Sequence, residues 1–311
     1  MIATVTLNPA VDKTLVVPNF AAGKMNRGQV ERVDPGGKGT NVAKALRQLG
    51  CPAVALGFVA GLNGQFLRRS LDGLGIPHDF IDVPGETRVN LKIEDPLLGI
   101  ETELNEPGFP VSAEHLEEME RRVEEYAAGA EVMVFAGSLP PGAPPGVYAA
   151  LIQIAARRGA KTILDASGAA LREGVAARPD LVKLNRAETE ELLGSASDLE
   201  AALSSVQAMG PAGVVISLGA EGAVAGWAGR RYRARPPRVE TRCTVGAGDA
   251  MTAALACALA SGTAFPEALR LATAAGAATA ACGGSSVASR AAIEALLEQV
   301  EVSELDEGTA K

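Results

Sequence analysis

The sequence predicts an α/β fold, a mainly parallel sheet covered by helices on both faces, with a second, smaller β sheet inserted into it. Three observations carry that reading. Short runs of branched residues alternate with helical patterns along most of the chain, the order that a parallel sheet with crossover helices requires. Two segments, 11–33 and 86–106, break the alternation with short strands and no helix. Clusters of glycine, serine and asparagine recur just after the strands, where ligands bind in folds of this kind. The division that follows is a large α/β domain over 1–10, 34–85 and 107–311. The small β unit, 11–33 and 86–106, would act as a lid, and its free apolar face suits a dimer contact.

Each element has a local reason. Residues 2–7 are rich in branched side chains and end at Asn8-Pro9, a buried strand. Short β-type runs follow at 13–17 and 29–33, with Lys24 and Arg27 in the turn between them. After Gly36-Gly37-Lys38-Gly39-Thr40-Asn41, a helical stripe of Val42, Ala43, Leu46 and Leu49 stops at Gly50. Strands are expected at 53–58 and 79–83 around a helix at 65–74. Residues 87–93 alternate strictly and 100–104 more weakly, an exposed hairpin. Ser112 opens a helix with the stripe Leu116, Met119, Val123, Tyr126. A strand at 132–136 follows, and Pro145 is expected at the first position of the next helix. Strands at 162–165, 181–184 and 214–217 and helices at 186–193 and 199–209 continue the alternation. Arg231, Arg233 and Arg235 share one face of a strand, read as a solvated edge that resists pairing. Helices at 250–260, 266–282 and 290–300 complete the domain, and 301–311 reads as an acidic, frayed tail.

Bulk properties exclude several classes of function. A net charge of −8 and a pI near 5.1 argue against nucleic acid or an anionic membrane surface as the main partner. No apolar stretch reaches membrane-spanning length, and the N-terminus lacks the basic start of a signal peptide, so the expected location is the cytoplasm. Cys51, Cys243, Cys257 and Cys282 show no metal-ligand spacing and read as isolated thiols packed as small apolar groups in a reducing compartment. The two histidines, His78 and His115, make a Ser-His-Asp triad or a histidine-based zinc site improbable. Gly37-Lys38 is not a P-loop, because Arg32 and Gly39 stand where that motif needs glycine and a hydroxyl residue.

The stretch that points to chemistry is Thr244-Val245-Gly246-Ala247-Gly248-Asp249-Ala250. Glycines that let the chain turn tightly lead into a small-residue helix whose free N–H groups and dipole favour an anion such as phosphate. A carboxylate beside a phosphate cradle repels its ligand. Either Asp249 is a general base that takes a proton from an attacking hydroxyl, or it merely caps the helix.

Four motifs occur in order: Asn8-Pro9-Ala10-Val11-Asp12, the Gly36-Gly37-Lys38-Gly39-x-Asn41 run, Lys183-x-Asn185-x-x-Glu188 and the Asp249 stretch. Together they resemble the ribokinase-like carbohydrate kinases of the PfkB type over residues 2 to about 300. The resemblance implies a three-layer α/β/α sandwich whose large domain binds nucleotide. Within the family, Thr87-Arg88-Val89-Asn90-Leu91-Lys92-Ile93 and Thr102-Glu103-Leu104-Asn105 are similar to bacterial 1-phosphofructokinases, with tagatose-6-phosphate kinases close by. The implied roles are specific. Asp249 is the base, and the N–H groups of Gly246, Ala247 and Gly248 hold the transferring phosphoryl; loss of one such donor costs roughly 3–4 kcal/mol. Asp12, Gly37 and Asn41 meet the sugar. Lys38 and Arg88, with Arg27 and Ser138, meet its phosphate, for which a guanidinium fork is suited. Lys183, Asn185, Ser217, Gly219, Gly222 and Gly248 line the nucleotide site, and Glu188 positions Mg²⁺ through water. The implied reaction is transfer of the γ-phosphoryl of Mg-ATP to the 6-hydroxyl of fructose 1-phosphate by a homodimer paired through the lid. Tagatose 6-phosphate and fructose 6-phosphate remain open as substrates, as does a sugar-phosphate sensor without catalysis.

Overall fold

Every residue of the first strand, Ile2–Thr6 (β1), is buried, which requires neighbours on both sides and helices on both faces. The structure, a computed structural model, describes residues 1–282 and 287–305. After β1 come β2 (Ala10–Val16), β3 (Gln29–Gly36), α1 (Lys38–Leu49), β4 (Ala53–Val59), α2 (Gly61–Gly73), β5 (His78–Asp82), β6 (Arg88–Asp95) and β7 (Ile100–Asn105). The middle of the chain forms α3 (Ala113–Ala127), β8 (Val132–Ala136), α4 (Val147–Arg157), β9 (Lys161–Asp165), α5 (Gly168–Ala176), β10 (Leu181–Asn185), α6 (Arg186–Leu193) and α7 (Leu199–Ala208). The last part contains β11 (Gly213–Ser217), a 3-10 turn (Gly219–Glu221), β12 (Ala223–Trp227), β13 (Arg230–Arg235), α8 (Ala247–Ser261), α9 (Phe265–Ala280), α10 (Arg290–Leu297) and β14 (Glu301–Leu305).

Ten strands form the main sheet in the order β14-β13-β12-β11-β10-β9-β8-β1-β4-β5. From β11 to β5 all pairs are parallel, and β12, β13 and β14 extend the sheet antiparallel. One core lies under α3, α4, α5 and α7, the other under α1, α8, α9 and α10, giving three layers. The smaller sheet has the order β3-β2-β6-β7; β2 and β6 run parallel, and the hairpin β6–β7 is antiparallel as its alternation predicts. Among the described residues no helix is long and apolar enough to cross a membrane.

Helix α8 is buried on nearly all sides, as an Ala-rich helix without a polar face must be. It packs against both α1 and α9. That packing sets the site, because α1 and α8 begin with the two glycine-rich motifs.

Several expectations are corrected. Strand β13 is not an edge. It lies between β12 and β14, with Tyr232 and Ala234 buried, while Arg230, Arg231 and Arg233 pair with Glu304, Glu200 and Glu221. The tail is not frayed over Glu301–Leu305: those residues form β14, held by the β13 ladder, and 306–311 lie outside the described residues. Helix α4 starts at Val147 with Gly146 as its N-cap, so Pro145 precedes it rather than occupying its first position. Helix α5 and strand β12 are elements that pattern reading did not single out; both are short and rich in Gly and Ala, which leaves little periodicity. Cys51 and Cys257 are not isolated thiols. They form a disulfide with Cα atoms 6.2 Å apart, brought together because Cys51 follows α1 and Cys257 lies on α8; Cys243 and Cys282 are free.

Candidate active site

The two glycine-rich motifs meet at one point. Gly246, the N-cap of α8, has φ +79°, a left-handed conformation that glycine adopts without steric cost, and its helix start has no side-chain cap. Among the described residues, the N–H groups of Gly246 and Gly248 donate to no protein acceptor, and that of Ala247 makes one long bond, 3.3 Å to the Thr244 carbonyl. Asp249 therefore does not cap the helix. Its Oδ2 accepts a hydrogen bond from Asn41 Nδ2 at 2.9 Å, across from the first turn of α1. What remains at the start of α8 is a set of unspent donors beside a buried carboxylate.

Burial pushes the Asp249 carboxyl up to about 6, and the negative charge of Asp165 adds to it; Lys38, Lys183 and the Asn41 bond offset part of the rise. Asp165, at the carboxyl end of β9, is fully buried and holds three donors. Lys38 Nζ donates at 2.7 Å, Lys183 Nζ at 3.2 Å and Thr252 Oγ1 at 2.7 Å. Burial alone would raise its pKa, but the two ammonium groups outweigh that and hold it well below the usual carboxylate range. Lys38 also donates to Glu188 Oε1 at 2.8 Å. Burial opposes the Lys38 charge, yet the two carboxylates hold it more firmly protonated than a free lysine. Glu188 and Asn185 cap α6 reciprocally, each accepting the other's backbone N–H at 2.8 Å.

Beside this network opens a cavity of about 670 Å³. Lys183, Asn185, Ser217, Gly219, Gly222 and Gly248, named from the sequence for one common site, all line it. Gly276, Ala277 and Ala280 of α9 form part of its wall. A Cβ on Gly248 would stand 3.0 Å from Lys183 Nζ, so the missing side chain lets the ammonium lie against the start of α8.

The other face is built by the small sheet. Asp12 on β2 accepts from Asn90 Nδ2 on β6 at 2.9 Å. A side chain on Gly36 would strike the Asp12 carboxylate at 2.2 Å, so that glycine admits it. Burial raises the Asp12 pKa, against Asn90, Lys44 and Arg88. Gly37 has φ +95°, and a Cβ there would stand 3.0 Å from Pro9 Cα, so only glycine lets the two segments approach this closely. Arg88 donates to two neutral carbonyls, Asn8 O and Glu106 O, both at 3.2 Å. Ser138 Oγ accepts from Asn8 Nδ2 at 3.3 Å. Arg27 is exposed on the loop between β2 and β3. Lys38, grouped with Arg88 in the sequence reading, forms ion pairs with Asp165 and Glu188.

Sequence reasoning did not single out Asp165, Thr252, Asn90 or Lys44. Asp165 ends a recognisable strand, so its position at the ligand end of the sheet was the available signal. Both Glu188 oxygens already accept hydrogen bonds, and no group of three or more metal-binding side chains occurs among the described residues. This donor set suits a cation that phosphate oxygens and water coordinate, with Asn185 and Glu188 at its edge.

Residues 5–292 match the pfkB family of carbohydrate kinases. The chain is 39% identical over 259 residues to a 1-phosphofructokinase of Rhodobacter capsulatus, with 82% of each chain covered. It is 33% identical over 257 residues to a 1-phosphofructokinase of Bacillus subtilis, covering 81% of this chain and 84% of that relative. Among solved structures, phosphofructokinase-2 from Escherichia coli matches with a TM-score of 0.91 and 30% identity, over 96% of this chain and 98% of that one.

Proposed function

The chain belongs to the pfkB family of carbohydrate kinases, and from that premise we propose that it transfers the γ-phosphoryl of ATP to the 6-hydroxyl of fructose 1-phosphate, giving fructose 1,6-bisphosphate. The observation that carries the chemistry is Asp249, a buried carboxylate at the start of α8 that caps nothing. In this reading Asp249 takes the proton of the attacking hydroxyl. A pKa near 6 keeps it ionised at neutral pH yet more basic than an ordinary carboxylate. The N–H groups of Gly246, Ala247 and Gly248 receive the charge that grows on the transferring phosphoryl.

ATP occupies the cavity beside α8, with its base against α9 and its phosphates toward Lys183. Mg²⁺ bound with ATP would supply positive charge against the phosphates. Asn185 and Glu188 would hold it through water, while Lys38 balances the local carboxylates. On the other face Asp12, Asn41 and the Gly37 backbone hold the sugar hydroxyls. Arg88, whose hydrogen bonds go to neutral carbonyls, keeps its charge for the sugar phosphate, with Ser138 beside it and Arg27 approaching from its loop. The small sheet closes over the sugar as a lid. Its exposed Val30, Val33, Ile100 and Leu104 would pair two copies into a homodimer, which Leu104→Lys should shift toward monomer in analytical ultracentrifugation. The reaction draws on cytoplasmic ATP.

The test is a coupled assay of ADP release with fructose 1-phosphate, fructose 6-phosphate and tagatose 6-phosphate side by side. Preference for fructose 1-phosphate supports the proposal. Preference for either other ester reassigns the substrate within the family. Binding without turnover of all three would point to a sensor, and preference for an unphosphorylated sugar would remove the role given to Arg88.

A further inference from the structure

We propose that Lys44 is a positioning residue that locks the Asn41 side chain in the one orientation able to support Asp249. Lys44 lies on α1 one turn after Asn41, where residues three apart share a face. Its Nζ donates to Asn41 Oδ1 at 2.9 Å and to the Pro35 carbonyl at the end of β3, also at 2.9 Å. Asn41 Nδ2 in turn donates to Asp249 Oδ2. The three side chains form a directional relay from ammonium to amide to carboxylate.

Direction is the point. An asparagine amide offers an acceptor on one side and donors on the other. Next to Asp249 alone, the flipped amide would set oxygen against oxygen, and water or substrate could stabilise it there. An ammonium has donors only, so Lys44 can donate only to the amide oxygen, which turns the NH₂ toward Asp249. One Asp249 oxygen is then engaged. Among the described residues the other, Oδ1, accepts no hydrogen bond and is left for the hydroxyl that reacts. The Pro35 bond fixes the ammonium to the strand that leads into the Gly36-Gly37 turn, so the sugar-side backbone and the base are held by one residue.

The surrounding charges are consistent with this. Burial lowers the Lys44 pKa, while Asp34, Asp12 and Asp249 work to keep the proton, and Arg32 opposes them. Asp249 faces Asp165, Lys38 and Lys183 from the sheet, α1 and β10. Removing Lys44 takes away one nearby positive charge and frees the amide that hydrogen-bonds the ionised base. Both changes favour the protonated form of Asp249.

The inference rests on Asp249 being the base. Its test is the pH profile of kcat/KM for Lys44→Met and Lys44→Arg, with Asn41→Leu and the double variant K44M/N41L completing a cycle. Lys44→Met should lower kcat by about tenfold to a hundredfold. It should also move the acidic limb to higher pH by about half a unit or more. Lys44→Arg should restore most of both. Once Asn41 is gone, Lys44→Met should shift the limb far less. A lysine that merely supports the fold would lower the melting temperature and leave the limb in place; that result overturns the proposal, as does full additivity in the cycle. If Lys44→Met does not yield folded protein, Lys44→Gln removes the same charge and is read by the same limb. Should Asp249→Asn retain full turnover, the base assignment itself fails. If Asp249→Asn is inactive and the limb of Lys44→Met is unmoved, only the role of Lys44 fails.

Discussion

Asn41 and Asp249 lie 208 residues apart in the sequence and meet through a hydrogen bond of 2.9 Å. The contact joins the first turns of α1 and α8, the two helices that the glycine-rich motifs open. It brings the two glycine-rich motifs, separate in the sequence, to one place. Its stability follows from the α1–α8 packing behind it, closed farther along by the Cys51–Cys257 disulfide.

Asp249 should limit stability as well as confer activity. Its folded pKa, about 6, lies above the ordinary value of 3.8, so between those pH values the native state binds more protons than the unfolded chain. The cost of ionising it therefore grows as pH rises through that window and is complete above about 6. Asp249→Asn should be more stable than the parent at pH 7 by ~2–3 kcal/mol and no more stable at pH 3.5. Urea unfolding at the two pH values checks this; equal effects at both would mean that the carboxylate is not strained by burial.

Asp165 should behave in the opposite sense. Its pKa is held low against burial by Lys183 and Lys38, so its contribution is present above the ordinary value of 3.8 and is lost as pH falls below it. Asp165→Asn leaves Lys183, almost wholly buried, without its carboxylate, and should cost about 3 kcal/mol at pH 7. The parent should also lose stability more steeply than the variant below about pH 4. Thermal unfolding across that range is the measurement, and parallel curves for the two proteins would contradict the assignment.

Gly246→Ala tests the cradle without crowding it. Among the described residues a Cβ there meets only Thr279 Cγ2, at 3.9 Å, so the penalty is the left-handed backbone itself, about 1 kcal/mol. The expected result is a small drop in melting temperature with a loss of kcat of tenfold or more, as roughly one misdirected donor would cause. A stability loss with unchanged kcat would show that this turn does not serve the reaction.

The disulfide predicts a thiol count. Unreduced, unfolded protein should titrate two thiols, Cys243 and Cys282, and four after reduction. The crosslink spans 206 residues, and reduction should lower stability by about 2–4 kcal/mol. Four titratable thiols before reduction would contradict the bond.

Much of this was legible in the sequence, for local reasons. Branched runs marked the central strands, the 87–93 alternation marked β6, and the glycines with Asp249 marked the start of α8 because turn and anion chemistry need those residues side by side. What was hidden depends on long-range contact. Asp165 gains its meaning from Lys38, 127 residues away, and from Thr252, 87 residues away. The partner of β13 lies at 301–305, so an arginine-rich strand read alone looks like an edge. Lys44 is an ordinary helical lysine until α1 is set beside α8.

The most direct test of the central claim is turnover of Asp249→Asn against the parent with saturating Mg-ATP and fructose 1-phosphate, together with direct binding of the sugar. If Asp249 is the base, kcat falls by at least about a hundredfold while sugar binding persists. Near-parental turnover in a folded, sugar-binding Asp249→Asn protein would contradict it.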